Sequence, residues 1–161
     1  MKTYPVEIRL NGQLVRTEAA AHETLLEVLR KNLGAKEVKS GCAKGDCGAC
    51  AVLLDGKAVN ACLVLALQAG GREVVTVRGI GTEDSPHPLQ ESFVKHGAIQ
   101  CGYCTPGMIV SAKALLDANP EPSREDIRKG ISGNLCRCTG FKKIVEAIEA
   151  TAKATGSGGH E

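Results

Sequence analysis

Apolar and polar residues alternate at the start of the chain. Val6, Ile8 and Leu10 are separated by Glu7 and Arg9, Asn11-Gly12 breaks the run, and Leu14 and Arg16 resume it, a pattern that predicts a β-hairpin. The period then lengthens. Thr24 with Glu27 forms a capping box, Leu25, Leu26, Val28, Leu29 and Leu33 make an apolar stripe, and Gly34 stands where a helix stops. Beyond a Gly- and Cys-rich stretch from Gly41 to Cys50, Ala51 to Leu54 predicts a strand that Asp55-Gly56 turns back on itself. Ala61 to Ala69 reads as a short apolar helix ended by Gly70-Gly71, and Glu73 to Val77 as the last strand of a small mixed sheet.

From the turn-rich stretch Gly79 to Pro88 onward, the period is about 3.6. One helix is predicted over Leu89 to His96, and a second from a Thr105 cap with Pro106 at its first position to just before Asn119-Pro120. Ser123 with Asp126 caps a third, ending near Gly133; Phe141 to Ala154 forms the last, with Ile144, Val145, Ile148 and Ala152 on one face. The end of the chain, Thr155 to Glu161, is Gly/Ser-rich. The fold class expected is α+β: a sheet domain over residues 1–79, a helical domain over 80–155, and a disordered tail, 156–161.

Composition narrows the function. The 161 residues carry 20 Lys+Arg against 18 Asp+Glu and are 43% hydrophobic, enough for a packed core and too balanced for disorder. Tyr4, Phe93, Tyr103 and Phe141 are the only aromatic residues, so a stacking platform for single strands is missing, and a formal charge of +2 gives no footprint for duplex. Nucleic acid is therefore not an expected partner. Met1 to Leu10 show no secretory pattern, and the apolar run Ala61 to Ala69 is about half the ~20 residues of a membrane span. A soluble, cytoplasmic protein without membrane insertion is expected.

In a reducing compartment eight cysteines are metal ligands before they are disulfides. They fall into two sets of four. Cys42, Cys47 and Cys50 are spaced by four and two residues, as in plant-type two-iron ferredoxins, and Cys62 follows after eleven. The second set is Cys101 and Cys104, spaced by two, then Cys136 and Cys138, spaced by one. Gly41, Gly45 and Gly48 are expected to take positive φ and let backbone N–H groups approach the sulfurs. Cys104, Cys136 and Cys138 precede predicted helices, where the dipole favours thiolate. Two clusters would take the formal +2 to roughly −2. Two zinc sites also use eight cysteines, but the interleaved glycines and the Cys-x-Cys pair match zinc knuckles poorly. Rieske ligation fails, since no cysteine is followed two residues later by His. His22, His87, His96 and His160 form no pair at ligand spacing and read as surface or loop residues; Lys36, Lys39 and Lys44 read as a solvated face. No residue is assigned a catalytic role.

Three strings are specific: GCAKGDCGAC from Gly41, QCGYCTPGM from Gln100 and GNLCRCTG from Gly133. With the Cys62 spacing, the chain resembles the small 2Fe-2S iron-sulfur subunit of the xanthine dehydrogenase/molybdenum hydroxylase family over residues 3 to about 153. The resemblance implies a ferredoxin-like β-grasp domain holding one 2Fe-2S cluster on Cys42, Cys47, Cys50 and Cys62. It implies a helical-bundle domain holding another on Cys101, Cys104, Cys136 and Cys138. It further implies a relay of single electrons between a molybdopterin cofactor on a large subunit and FAD on a medium subunit. Gln100 and Cys138 match positions that contact the pterin. The assembly implied is a hetero-oligomer, compatible with a dimer of heterotrimers. The chain itself has no Gly-x-Gly-x-x-Gly fingerprint and no room for a flavin or molybdopterin domain.

Two positions depart from the family pattern: Phe141 stands where Tyr is common, and Asn60-Ala61 precedes Cys62 where Ser is frequent. Neither removes a ligand. The competing readings are a free-standing two-cluster ferredoxin-type carrier, which needs no fixed partner, and a zinc-binding module, which would be colourless.

Overall fold

The structure is a computed structural model that describes residues 2–156. Strands β1 (Thr3–Leu10) and β2 (Gln13–Ala20) form the predicted hairpin, with Asn11 and Gly12 both at positive φ, 49° and 82°. The alternation holds, but its buried phase in β2 differs. Ile8 pairs with Val15, so Val15 faces the core while Leu14 stays 54% exposed. Helix α1 (Leu25–Lys31) opens on the Thr24/Glu27 capping box and buries Leu25, Leu26, Val28 and Leu29.

Strands β3 (Ala51–Leu54), β4 (Lys57–Asn60) and β5 (Glu73–Val75) complete a sheet of order β2-β1-β5-β3-β4. β1 and β5 run parallel and the other pairs antiparallel. The apolar helix expected over Ala61 to Ala69 is instead two 3₁₀ turns, Ala61–Leu63 and Ala66–Ala69. Tertiary hydrogen bonds split it: Leu25 N–H donates to the Val64 carbonyl at 2.7 Å and Ala66 N–H to Glu23 at 2.9 Å, holding the middle extended. The last strand also ends early. Thr76 caps a short helix α2 (Val77–Ile80), so Val77 is helical rather than strand.

The remaining helices are α3 (Pro88–Lys95), α4 (Thr105–Ala118), α5 (Arg124–Gly130) and α6 (Lys142–Gly156). Three boundaries move. Cys104, not Thr105, is the N-cap of α4; α5 stops at Gly130, short of Gly133; and α6 runs through Thr155, which donates to the Thr151 carbonyl at 3.0 Å. Residues 157–161 of the expected tail, with His160, lie outside the described residues.

Buried side chains gather in two groups joined by a narrow seam. One group places α1 and the 3₁₀ turns against Val6, Ile8, Val52, Leu54 and Val74 on one sheet face. The other unites α3, α4, α5 and α6 around Phe93, Met108, Ile127 and Ile148. β3 is buried on both faces: Val52 and Leu54 point to the first group, while Ala51 and Leu53 meet Val110 of α4. That double burial explains its unbroken apolar run. The same strand leads directly out of the cysteine-rich loop, so packing of α4 on β3 fixes where that loop stands.

His87 is more than a loop residue: it is the N-cap of α3, its Nδ1 accepting from Leu89 N–H at 3.1 Å. Burial, and then the nearby Lys113 charge, hold its ring below the ordinary value of 6.5. The unfolded chain therefore takes up a proton first as pH falls through 6.5, and stability drops until the folded ring also protonates. Denaturation midpoints followed from pH 7.5 to 5 should fall more steeply for the parent than for His87→Asn, which keeps a capping side chain without a titrating ring. Separately, Phe93→Ala, at a fully buried ring, is expected to cost about 3–5 kcal/mol in denaturant unfolding, against about 0.5 kcal/mol or less for exposed Leu14→Ala.

Candidate metal centres

All eight cysteines are free thiols, and those that act on one another do so within one set of four. Within the first, Cys42 N–H donates to Cys47 Sγ, and Cys50 feels both Cys62 and Cys47. Within the second, Cys104 pairs with Cys136 and Cys101 with Cys138, while Cys104 feels Cys101 and Cys138 feels Cys136. Among the described residues no three His, Cys, Asp or Glu side chains converge as a single-ion site requires. A two-iron rhomb takes four thiolates, two on each iron.

The first quartet is built by the loop between α1 and β3. Cys42 N–H donates to Cys47 Sγ at 3.3 Å and Lys44 N–H to Cys42 Sγ at 3.5 Å. The N–H of Lys44, and then that of Cys47, pull Cys42 down to about 6, while burial pushes Cys50 up to about 12 against a lowering N–H contact from Cys62. The glycines divide their work. Gly45 and Gly48 have positive φ as expected, whereas Gly41 is needed for space alone, since a Cβ there would sit 2.7 Å from Cys47 Sγ. Asn60, one of the two departures, donates to the Gly45 carbonyl at 2.9 Å and so ties the end of β4 to the loop. Lys44 pairs with Asp46 at 3.0 Å, and Lys39 donates to the Lys36 carbonyl at 3.1 Å.

The second quartet joins the N-terminus of α4 to the turn before α6. Burial raises Cys104 to about 12, with Cys136 adding to it, so the helix-terminus effect expected there is outweighed. At Cys136 the balance reverses. Burial works upward, but the Thr139 hydroxyl at 3.0 Å and its N–H at 3.5 Å together lower the thiol. Cys138 is raised, chiefly by its bond to Cys101, and both of these thiols are exposed. Gln100, next to Cys101, is exposed as well. Phe141, the other departure, packs against the helical core with Cys136.

The two quartets are clasped together by residues that the sequence reading passed over. Leu135 N–H donates to the Cys47 carbonyl at 2.9 Å, and the buried Asn134 amide donates to the Gly48 carbonyl at 3.0 Å. Tyr103 OH reaches across to the Ser40 carbonyl at 2.7 Å. Gly48, at φ +68°, leaves no room for a side chain: a Cβ would overlap the Gly133 carbonyl and lie 2.6 Å from Asn134 Nδ2. Gly107 in the first turn of α4 is equally constrained, as its Cβ would overlap the Gly48 carbonyl. Asn134 lies inside a cysteine-bearing string, but no local signal says which carbonyl, 86 residues away, it must reach.

The donor set fits a thiolate-held iron-sulfur cluster in each quartet: four sulfurs, with N–H donors aimed at Cys42 and Cys47 in the first and at Cys136 in the second, and glycine at Gly41 where a side chain would obstruct. Comparison with known proteins agrees. Residues 8–72 match the family described as "2Fe-2S iron-sulfur cluster binding domain", implying a ferredoxin-like fold there, and residues 76–149 match "[2Fe-2S] binding domain". The chain is 45% identical over 148 residues to the nicotinate dehydrogenase small FeS subunit of Eubacterium barkeri, covering 92% of this chain and 94% of that one. It is 46% identical over 143 residues to the nicotine 6-hydroxylase small subunit of Paenarthrobacter nicotinovorans, covering 89% and 86%. Among solved structures, quinoline 2-oxidoreductase from Pseudomonas putida 86 superposes with a TM-score of 0.92 at 39% identity, covering 98% of this chain and 99% of that one. Aldehyde oxidoreductase from Desulfovibrio desulfuricans also superposes at 0.92, with 47% identity over 98% of this chain, but only 17% of its own longer chain is matched. Two cluster-binding family matches and this near end-to-end likeness settle the affiliation: the chain belongs to the small iron-sulfur subunits of the xanthine dehydrogenase and molybdenum hydroxylase family.

Proposed function

We propose that the chain relays single electrons within a molybdenum hydroxylase-type oxidoreductase, between a molybdopterin centre on a large subunit and FAD on a medium one. The observation that carries this reading is the Leu135 N–H to Cys47 carbonyl bond of 2.9 Å. It joins the residue before Cys136 directly to a thiol-bearing residue of the other quartet. In this reading Cys42, Cys47, Cys50 and Cys62 hold one 2Fe-2S cluster, and Cys101, Cys104, Cys136 and Cys138 hold the other. When bound, such a cluster takes up and gives up one electron at a time. The protein contributes position and environment. Buried Cys50 and Cys62 keep water from one side of the first site, and N–H donors compensate thiolate charge at Cys42, Cys47 and Cys136.

Exposure marks one end of the relay. Cys101 and Cys138 lie at the surface beside Gln100, and we assign Gln100 and Cys138 to contact with the pterin. The two-domain division, residues 1–79 and 80–155, is supported by the separate buried groups and by family matches that end at residue 72 and resume at 76. A hetero-oligomer with separate large and medium subunits follows from this role, and a dimer of heterotrimers is compatible with it. Eight free thiols favour the cytoplasm, and among the described residues no helix is long and apolar enough to cross a membrane.

Metal analysis of the native complex should give about four irons per small chain, with two distinct paramagnetic species after dithionite reduction. Cys62→Ser should alter one species and Cys136→Ser the other. A content of two irons, or zinc in their place, rejects the assignment. Gly48→Ala should cost about 1–3 kcal/mol from backbone strain alone and, by prising the two quartets apart, slow electron transfer between them in rapid-freeze measurements.

A further inference from the structure

Beside the second quartet lies a feature that holding cysteines does not require. A cavity of about 610 Å³ opens between α5, the turn over residues 131–135 and the start of α6. Its floor is apolar, made by Ile131, Phe141 and Val145, and Leu135 at its edge is 59% exposed. Its rim is cationic. Arg124 is engaged with Glu149 at 2.8 Å, but Arg128 and Lys142 are exposed and pair with no carboxylate among the described residues. Arg137, between Cys136 and Cys138, is likewise exposed and unpaired.

We infer that this groove seats a segment of the large partner subunit that presents carboxylates to Arg128 and Lys142 and an apolar side chain to the floor beside Leu135. The inference rests on the relay reading above, which turns the second quartet toward that subunit. Three considerations select this occupant. An exposed leucine over an apolar floor loses favourable burial until something covers it. Two unpaired cations on the same rim select an acidic covering surface, and they steer its approach. A second copy of the chain fits badly, because a two-fold contact centred here sets Arg128 and Lys142 against their own counterparts.

The test is co-expression of the small chain with its native partner subunits, capture through a tag on the large subunit, and measurement of the small chain retained as salt is raised. Arg128→Glu with Lys142→Glu is expected to weaken retention about tenfold or more at low salt, and to flatten the salt dependence seen in the parent. Leu135→Asp is expected to weaken it at every salt concentration. The double variant should keep the parent's iron content and both paramagnetic species, because Arg128 and Lys142 are exposed and hold no cluster. Retention of the double variant equal to the parent overturns the groove alone. A parental chain that no large subunit retains overturns the relay reading and the groove with it. Loss of iron in the double variant, or a dimer of the isolated small chain that the double variant abolishes while retention is unchanged, assigns the groove to the fold or to self-association and overturns the proposal.

Discussion

The structure depends on a close approach of two backbones far apart in sequence. Gly48 and its neighbour Cys47 turn their carbonyls outward from the first loop, and Asn134 and Leu135 meet them from the second at 3.0 and 2.9 Å. A methyl group at Gly48 or Gly107 would push the partners apart. Each bond is an ordinary one, worth about 1 kcal/mol net. Their weight lies elsewhere: Asn134 is buried, so losing its partner strands a polar group, and the separation of the two quartets is set by this contact.

Around that clasp the fold solves an electrostatic problem. Burial raises the cost of ionising the enclosed thiols, and neighbouring thiols add to it, as the upward displacement of Cys50 and Cys104 to about 12 records. Cluster binding needs the thiolates. The compensating donors are backbone N–H groups at Lys44, Cys42 and Thr139, which cost no additional charge and remain fixed by loops pinned to β3 and α6. The metal supplies the rest of the compensation.

Surface character follows the same logic. Buried cysteines, Cys50 and Cys62, sit where the sheet, α1 and the 3₁₀ turns enclose them, whereas Cys101 and Cys138 open outward next to exposed Ile99, Tyr103 and Leu135. Apolar side chains grouped around exposed sulfurs belong to a surface that works when covered, which suits a subunit better than a solitary carrier.

The sequence by itself determined the hairpin, the Thr24/Glu27 cap, the α1 and α6 stripes and the division of eight cysteines into two fours. Each of these is encoded within a few residues, by alternation, capping chemistry or ligand spacing. Position by position, local signals failed where a distant partner intervened. Val64 was drawn out of a helix by Leu25, Val77 was folded into α2 by the Thr76 cap, and Cys104 was raised by burial that no helix terminus could offset. Which thiol meets which, and that Asn134, Leu135, Gly107 and Tyr103 bind one loop to the other, was decided only by tertiary structure. Those contacts join residues that nothing local connects, and only packing of α4 against β3 brings them within hydrogen-bonding reach.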